Sequence, residues 1–128
     1  MKRSIFLIIA SIISVLFGCM MFFLPDMVAE GFGSTPTPFS NFLMREMGLL
    51  VLASGILNFL VRNDSDSMAL KAIFIFNIVY HVTMIPIVLI GVSQEVFAID
   101  KSFGGLAAHL SIGVGSLFYL LKIKTSSN

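Results

Sequence analysis

Four long apolar runs dominate this sequence, at residues 5–24, 41–61, 68–92 and 103–121. Each comes close to the roughly 20 residues that an α-helix, rising 1.5 Å per residue, needs to cross the hydrocarbon core of a bilayer. In lipid every backbone N–H and C=O must be satisfied within the protein, which leaves helices and closed barrels as the only spanning structures. These runs lack the in–out alternation of a barrel strand. The chain is therefore expected to be an all-α membrane protein that crosses the bilayer four times. Composition agrees: 57% of the 128 residues are hydrophobic and 12% are charged, against roughly a quarter charged in a soluble domain. A chain this short cannot hide so much apolar surface in one water-surrounded core.

The first run follows Lys2 and Arg3, as the apolar stretch of a signal peptide would, and Leu16-Phe17-Gly18-Cys19 faintly resembles a lipoprotein cleavage box. The run continues past the cysteine through Met20, Met21, Phe22, Phe23 and Leu24, beyond the roughly 7–15 residues of a secretory apolar region. It reads as a retained helix. Cys19 is the single cysteine, which excludes a disulfide framework and a thiolate metal cluster within one chain. A net charge of +1, without a basic aromatic stretch or a Gly-rich phosphate loop, speaks against a nucleic-acid partner.

Short polar connections separate the runs. Pro25-Asp26 ends the first, and residues 31–38, rich in Gly, Ser, Thr and Pro, form the longest loop. Ser40 or Asn41 is the expected N-cap of the second helix, and Asp66 or Ser67 that of the third. The tail from Lys122 to Asn128 is polar, and no internal repeat or second domain interrupts residues 1–128. Lys2, Arg3, Arg62, Lys71, Lys122 and Lys124 fall on one side of the membrane in a four-span reading. Asp26, Glu30, Glu95 and Asp100 fall on the other, with Lys101, and Arg45 near the mouth of the second helix. By the positive-inside rule both termini are cytoplasmic. The expected fold is an up-down-up-down four-helix bundle in the cytoplasmic membrane.

At 100° per residue the fourth run divides into two faces. Phe103, Leu106, Leu110, Val114, Leu117 and Leu121 form a lipid-facing stripe. Gly105, Ala108, Ile112, Gly115, Ser116 and Tyr119 lie opposite, with His109 on the flank. In the first run Ser4, Ser11 and Gly18 fall a heptad apart and Ser14 joins them, and Gly48 and Gly55 repeat that spacing in the second. Small residues let helix backbones approach closely, the main source of packing energy between helices in lipid.

Polar side chains at membrane depth are expensive and mark candidate sites. Asn77, Tyr80, His81 and Met84 share about a third of the third helix's circumference. His109, Ser116 and Tyr119 lie on the fourth, and His81 and His109 come within about 5 Å in depth if the two helices run antiparallel. Three roles are open to this layer. The two histidines could ligate a b-type haem. They could line a pocket for a quinone, a lipid or another apolar molecule, with Asn77 and Tyr80 orienting it. The plainest role, and the expected one, is interhelical hydrogen bonding that sets the register of the bundle. Arg45 and Glu46, one turn inside the second helix, could pair across the bundle or gate a cavity; snorkelling to the interface is the simpler outcome. The methionines form no thioether array and read as flexible packing groups. No span holds a central acid, which argues against a proton-coupled multidrug exporter. Ser111 and His109 point in different directions on their helix, so they do not form a nucleophile–base pair. No catalytic or metal-binding residue is expected.

A resemblance accompanies these patterns. Arg45-Glu46-Met47-Gly48 leads into Gly55-Ile56-Leu57-Asn58-Phe59-Leu60-Val61-Arg62-Asn63. Then come Ala69-Leu70-Lys71-Ala72, Asn77-Ile78-Val79-Tyr80-His81, Ile90-Gly91-Val92 and His109, with Phe32-Gly33 in the first loop. Together they resemble small bacterial four-helix membrane proteins of unknown function, DoxX-like in appearance, over nearly the whole chain. That resemblance implies the same topology in a bacterial inner membrane. Some DoxX-type proteins are linked to quinone-coupled sulfur oxidation, but no catalytic motif of such an enzyme is present here. The expected function is a non-enzymatic interaction or accessory subunit, with the bilayer and a membrane-protein partner or second copy as its surroundings. The alternative is a redox protein holding quinone or haem b through His81 and His109.

Overall fold

A computed structural model describes residues 1–124 of the chain; the end of the polar tail, residues 125–128, lies outside the described residues. Five helices follow one another: α1 (Arg3–Phe23), α2 (Pro25–Gly31), α3 (Pro38–Leu60), α4 (Met68–Ser93) and α5 (Ile99–Leu120). All but the short α2 are long and apolar enough to cross a membrane.

Proline sets two of the boundaries. Leu24 precedes Pro25, whose ring disfavours the helical conformation in the preceding residue. Leu24 accordingly leaves it, with φ −129° and ψ 50°. Pro25 then opens α2, because its missing N–H is one that a first helical turn leaves unpaired anyway. Pro38 opens α3 for the same reason, three residues before the expected start. The N-cap is consequently Thr37, not Ser40 or Asn41. Its hydroxyl oxygen accepts from the Ser40 N–H at 3.1 Å, and the Ser40 hydroxyl oxygen accepts from the Thr37 N–H at 2.9 Å, a reciprocal capping box. Ser67 caps α4 as expected, accepting from the Leu70 N–H at 3.2 Å. Helix α5 starts at Ile99, four residues earlier than its apolar run, with Asp100 in the first turn. An acidic group there is favoured by the helix dipole.

The helices associate chiefly in two pairs, α1 along α3 and α4 along α5. The α1–α3 seam is built from the small residues: Ser11, Ser14, Gly18, Gly48, Ser54 and Gly55 are all buried. Phe6, Leu7 and Ala10 of α1, Leu70 and Phe74 of α4, and Ile112 and Tyr119 of α5 form an apolar core that joins the two pairs. The Phe6 and Tyr119 rings lie 5.1 Å apart at its centre. On the outside, Phe103, Leu110, Val114, Leu117 and Leu121 are exposed as the lipid-facing stripe requires, and Leu106 is half-buried.

Polar contacts fasten each end. At one end Asp66, in the α3–α4 turn, pairs with Arg3 at 2.5 Å and accepts the Lys124 backbone N–H at 2.9 Å. Tyr119 donates its hydroxyl to the Met1 carbonyl at 2.6 Å. The Arg3 guanidinium and the Lys124 N–H hold the Asp66 carboxyl below the usual carboxylate range. At the other end α2 buries Pro25, Val28 and Ala29, and the Phe32 carbonyl accepts the Ala98 N–H at 2.9 Å. Gly33, at φ +79°, lies against the Ala98 methyl, a position no larger residue would occupy without strain.

Candidate functional site

The polar layer consists of two neighbouring hydrogen-bonded pairs. Asn77 of α4 faces Asn58 of α3, and the two amides bond reciprocally, Asn77 Nδ2 to Asn58 Oδ1 at 2.7 Å and Asn58 Nδ2 to Asn77 Oδ1 at 3.3 Å. Both side chains are fully buried. Each amide thereby satisfies one donor and the carbonyl of its partner. Asn77 is thus engaged with another helix through both its amide oxygen and its amide nitrogen.

One turn further along α4, His81 meets His109 of α5, with the two Nδ1 atoms 2.9 Å apart. The ring centroids are 5.1 Å apart and the planes inclined at 49°. Tyr80 packs edge-on to both, at 5.0 Å from His81 and 6.1 Å from His109. Gly113, where α5 passes α4, leaves just enough room: an added Cβ would lie 3.3 Å from Val82 and 3.6 Å from the His81 Cβ. The sequence expectation that these histidines share one depth therefore holds as direct contact.

An Nδ1-to-Nδ1 hydrogen bond requires one ring to donate and the other to accept. In the neutral pair one histidine carries its proton on Nδ1 and the other on Nε2. Protonating both rings would set two N–H groups against each other. His81 is 95% buried, from its 5% exposure, and its Nε2 has no partner. Depending on which ring holds the shared proton, that atom is an open acceptor or an open donor, and buried groups of this kind normally have a partner. The Ser54 and Ser116 hydroxyls are also buried without a partner.

These donors do not fit a haem held between the two histidines. An iron between two imidazoles separates the ligating nitrogens by about 4 Å, two metal–nitrogen bonds of about 2 Å. It also needs the macrocycle to lie between the rings. Here the facing nitrogens are 2.9 Å apart and bonded to each other. Among the described residues, no three His, Cys, Asp or Glu side chains converge as a metal site.

Arg45 is exposed and donates through Nε to the Phe22 carbonyl at 3.3 Å, covering the end of α1. Arg45 and Glu46 do not pair: among the described residues the ion pair is Arg3–Asp66. Among the described residues, one apolar groove of about 840 Å³ opens between α1 and α5 and another of about 340 Å³ between α1 and α3. His81, His109, Asn77 and Tyr80 line neither.

Two features escaped the sequence reading. Asn58 was legible as a polar residue inside an apolar run, one turn past the seam glycine Gly55. The Arg3–Asp66 clasp joins residues 63 positions apart and carries no local signal. No protein-family model matches the chain, and no curated protein or solved structure matches it either.

Proposed function

We propose that this chain is a DoxX-like, four-span up-down-up-down bundle of a bacterial inner membrane with both termini in the cytoplasm. It serves without catalysis as an interaction or accessory subunit, and the unpartnered His81 Nε2 is the group that the polar head of a lipophilic ligand meets when it enters between the helices. The observation that carries the ligand reading is the His81 ring itself, buried and tied to His109 through Nδ1, with Nε2 left open. A membrane-dissolved molecule with one hydrogen-bonding head, such as a quinone, a lipid or a comparable amphiphile, complements such a group. The redox alternative, a quinone contacting His81 and His109, draws on the same nitrogen.

Topology is supported by where the ends meet. Arg3, Asp66 and Lys124 gather at one end, and Phe32 and Ala98 at the other. The basic residues cluster with the first group. In a Cys19→Ser background, a cysteine at Thr35 is expected to react with an impermeant thiol reagent on intact cells. One at Ser65 is expected to react only after permeabilisation, and the reverse pattern would invert the orientation.

The ligand reading is tested by extracting the purified protein and identifying retained lipophilic molecules by mass spectrometry. Wild type is expected to retain a compound near one per chain. His81→Ala is expected to lose it, and Asn77→Leu to keep it while melting earlier. If His81→Ala retains the same compound and only loses stability, the histidine pair is purely a register device.

A further inference from the structure

We infer that the groove between α1 and α5 is a binding site for an anionic phospholipid, one acyl chain lying in the groove and the phosphate held by Lys122 at its end. This site is separate from the histidine layer and does not depend on its reading.

The groove is predominantly apolar, with Ile9 and Ile13 of α1 on one wall and Ala107, Ser111 and Phe118 of α5 on the other. Its depth comes from small residues. Gly115 has no Cβ, so the Phe6 ring seats against the α5 backbone and forms the floor. The lining runs from Met1, just before α1, along that helix to Ile13, and on α5 over the twelve-residue rise from Ala107 to Tyr119. Twelve helical steps cover about 18 Å, close to the roughly 15 Å that one leaflet contributes to the hydrocarbon core. A transmembrane helix from another chain would need a furrow through both leaflets. This one stops near the middle of the two helices, the reach of a single lipid chain.

The end of the groove nearest the chain termini carries positive charge. Phe118, at the terminal end of the groove, carries the Lys122 ammonium 3.9 Å above its ring centroid. Lys122 is exposed, and among the described residues no carboxylate lies within ion-pair distance of it. Lys2, also exposed, follows Met1 of the lining. Tyr119 gives its hydroxyl to the Met1 carbonyl, so it does not compete for a phosphate. An apolar channel one leaflet deep, with a lysine at its end that has no carboxylate partner among the described residues, is complementary to a lipid whose head is negative.

Native mass spectrometry of protein released from nanodiscs containing equal phosphatidylglycerol and phosphatidylcholine tests this. Wild type is expected to retain one lipid per chain with about a fivefold preference for phosphatidylglycerol, the worth of one interfacial lysine. Lys122→Gln is expected to keep one lipid and lose most of that preference. Ser111 is exposed, so Ser111→Phe fills the groove from outside and is expected to shed both lipids with an unchanged helical content. Equal retention of the two lipids by wild type would overturn the assignment. So would a wild-type dimer that Ser111→Phe converts to monomer, because the groove would then hold a second copy of the chain.

Discussion

Gly18→Ala is expected to destabilise the bundle by about 2 kcal/mol, although alanine is the better helix former by about 1 kcal/mol. A Cβ on residue 18 would lie 2.6 Å from the Leu52 backbone nitrogen and 2.8 Å from the Gly48 carbonyl oxygen. Those are backbone atoms, so no rotamer change relieves the clash and α1 must move away from α3. The same seam holds Gly48, whose Cβ would meet the Gly18 carbonyl oxygen at 2.9 Å, and Gly55, pressed on the Val15 nitrogen at 2.9 Å. Moving one point of the seam loosens them all. Between helices in lipid no hydrophobic effect compensates, because the surrounding chains are as apolar as the side chains they replace. Overpacking of this kind costs about 1–3 kcal/mol, and the seam's rigid geometry puts Gly18 near the upper end before the propensity gain is subtracted. Gly104 is the control: nothing lies within 4 Å of its Cβ position, so Gly104→Ala is expected to be neutral or stabilising by up to about 1 kcal/mol. Unfolding of the purified protein in detergent, followed by circular dichroism, measures both. Equal effects of the two substitutions would show that close backbone approach is not what holds α1 to α3.

Asn77→Leu is expected to cost about 2 kcal/mol, and Asn58→Leu about the same, whereas the double substitution costs clearly less than their sum. Either single change strands a buried amide in an apolar interior, which carries the desolvation penalty of about 1–3 kcal/mol. Removing both amides leaves two apolar side chains of similar size facing each other, with nothing unsatisfied. Polar contacts between membrane helices average well below 1 kcal/mol and reach about 1.7 kcal/mol. This reciprocal, fully buried pair belongs at the high end of that range. The measurement is a double-mutant cycle in the same detergent unfolding assay. Additive effects would mean that the two amides do not act as a unit. The pair matters to the architecture because α3 and α4 otherwise touch sparsely, and it is the specific link between the α1–α3 and α4–α5 pairs at that depth. It also separates two roles that share one helix face: Asn77 sets register, and His81, four residues on, keeps an open nitrogen.

The spans, their approximate limits, the lipid-facing stripe of α5 and the small-residue seam of α1 and α3 were all legible in the sequence. Each is a local or periodic property: twenty apolar residues at 1.5 Å per residue, or one residue type every seven, means the same thing wherever the helix finally packs. The helix starts were less legible, because a proline at the first helical position reads as a loop residue until its neighbours' hydrogen bonds are known. Thr37 and Pro38 show this. The four helices long and apolar enough to span a membrane were thus decided by composition and period alone. Only the tertiary structure decided which polar groups meet. Asn77 was drawn to Asn58, His81 to His109 through Nδ1, Arg3 to Asp66, and the Lys122 ammonium to the Phe118 ring at the end of a groove between α1 and α5. Helical periodicity gives each side chain its direction around its own axis. The partner it meets depends on the axial offset and rotation of a neighbouring helix, and close packing along the glycine seam and the Phe6–Tyr119 core is what fixes them.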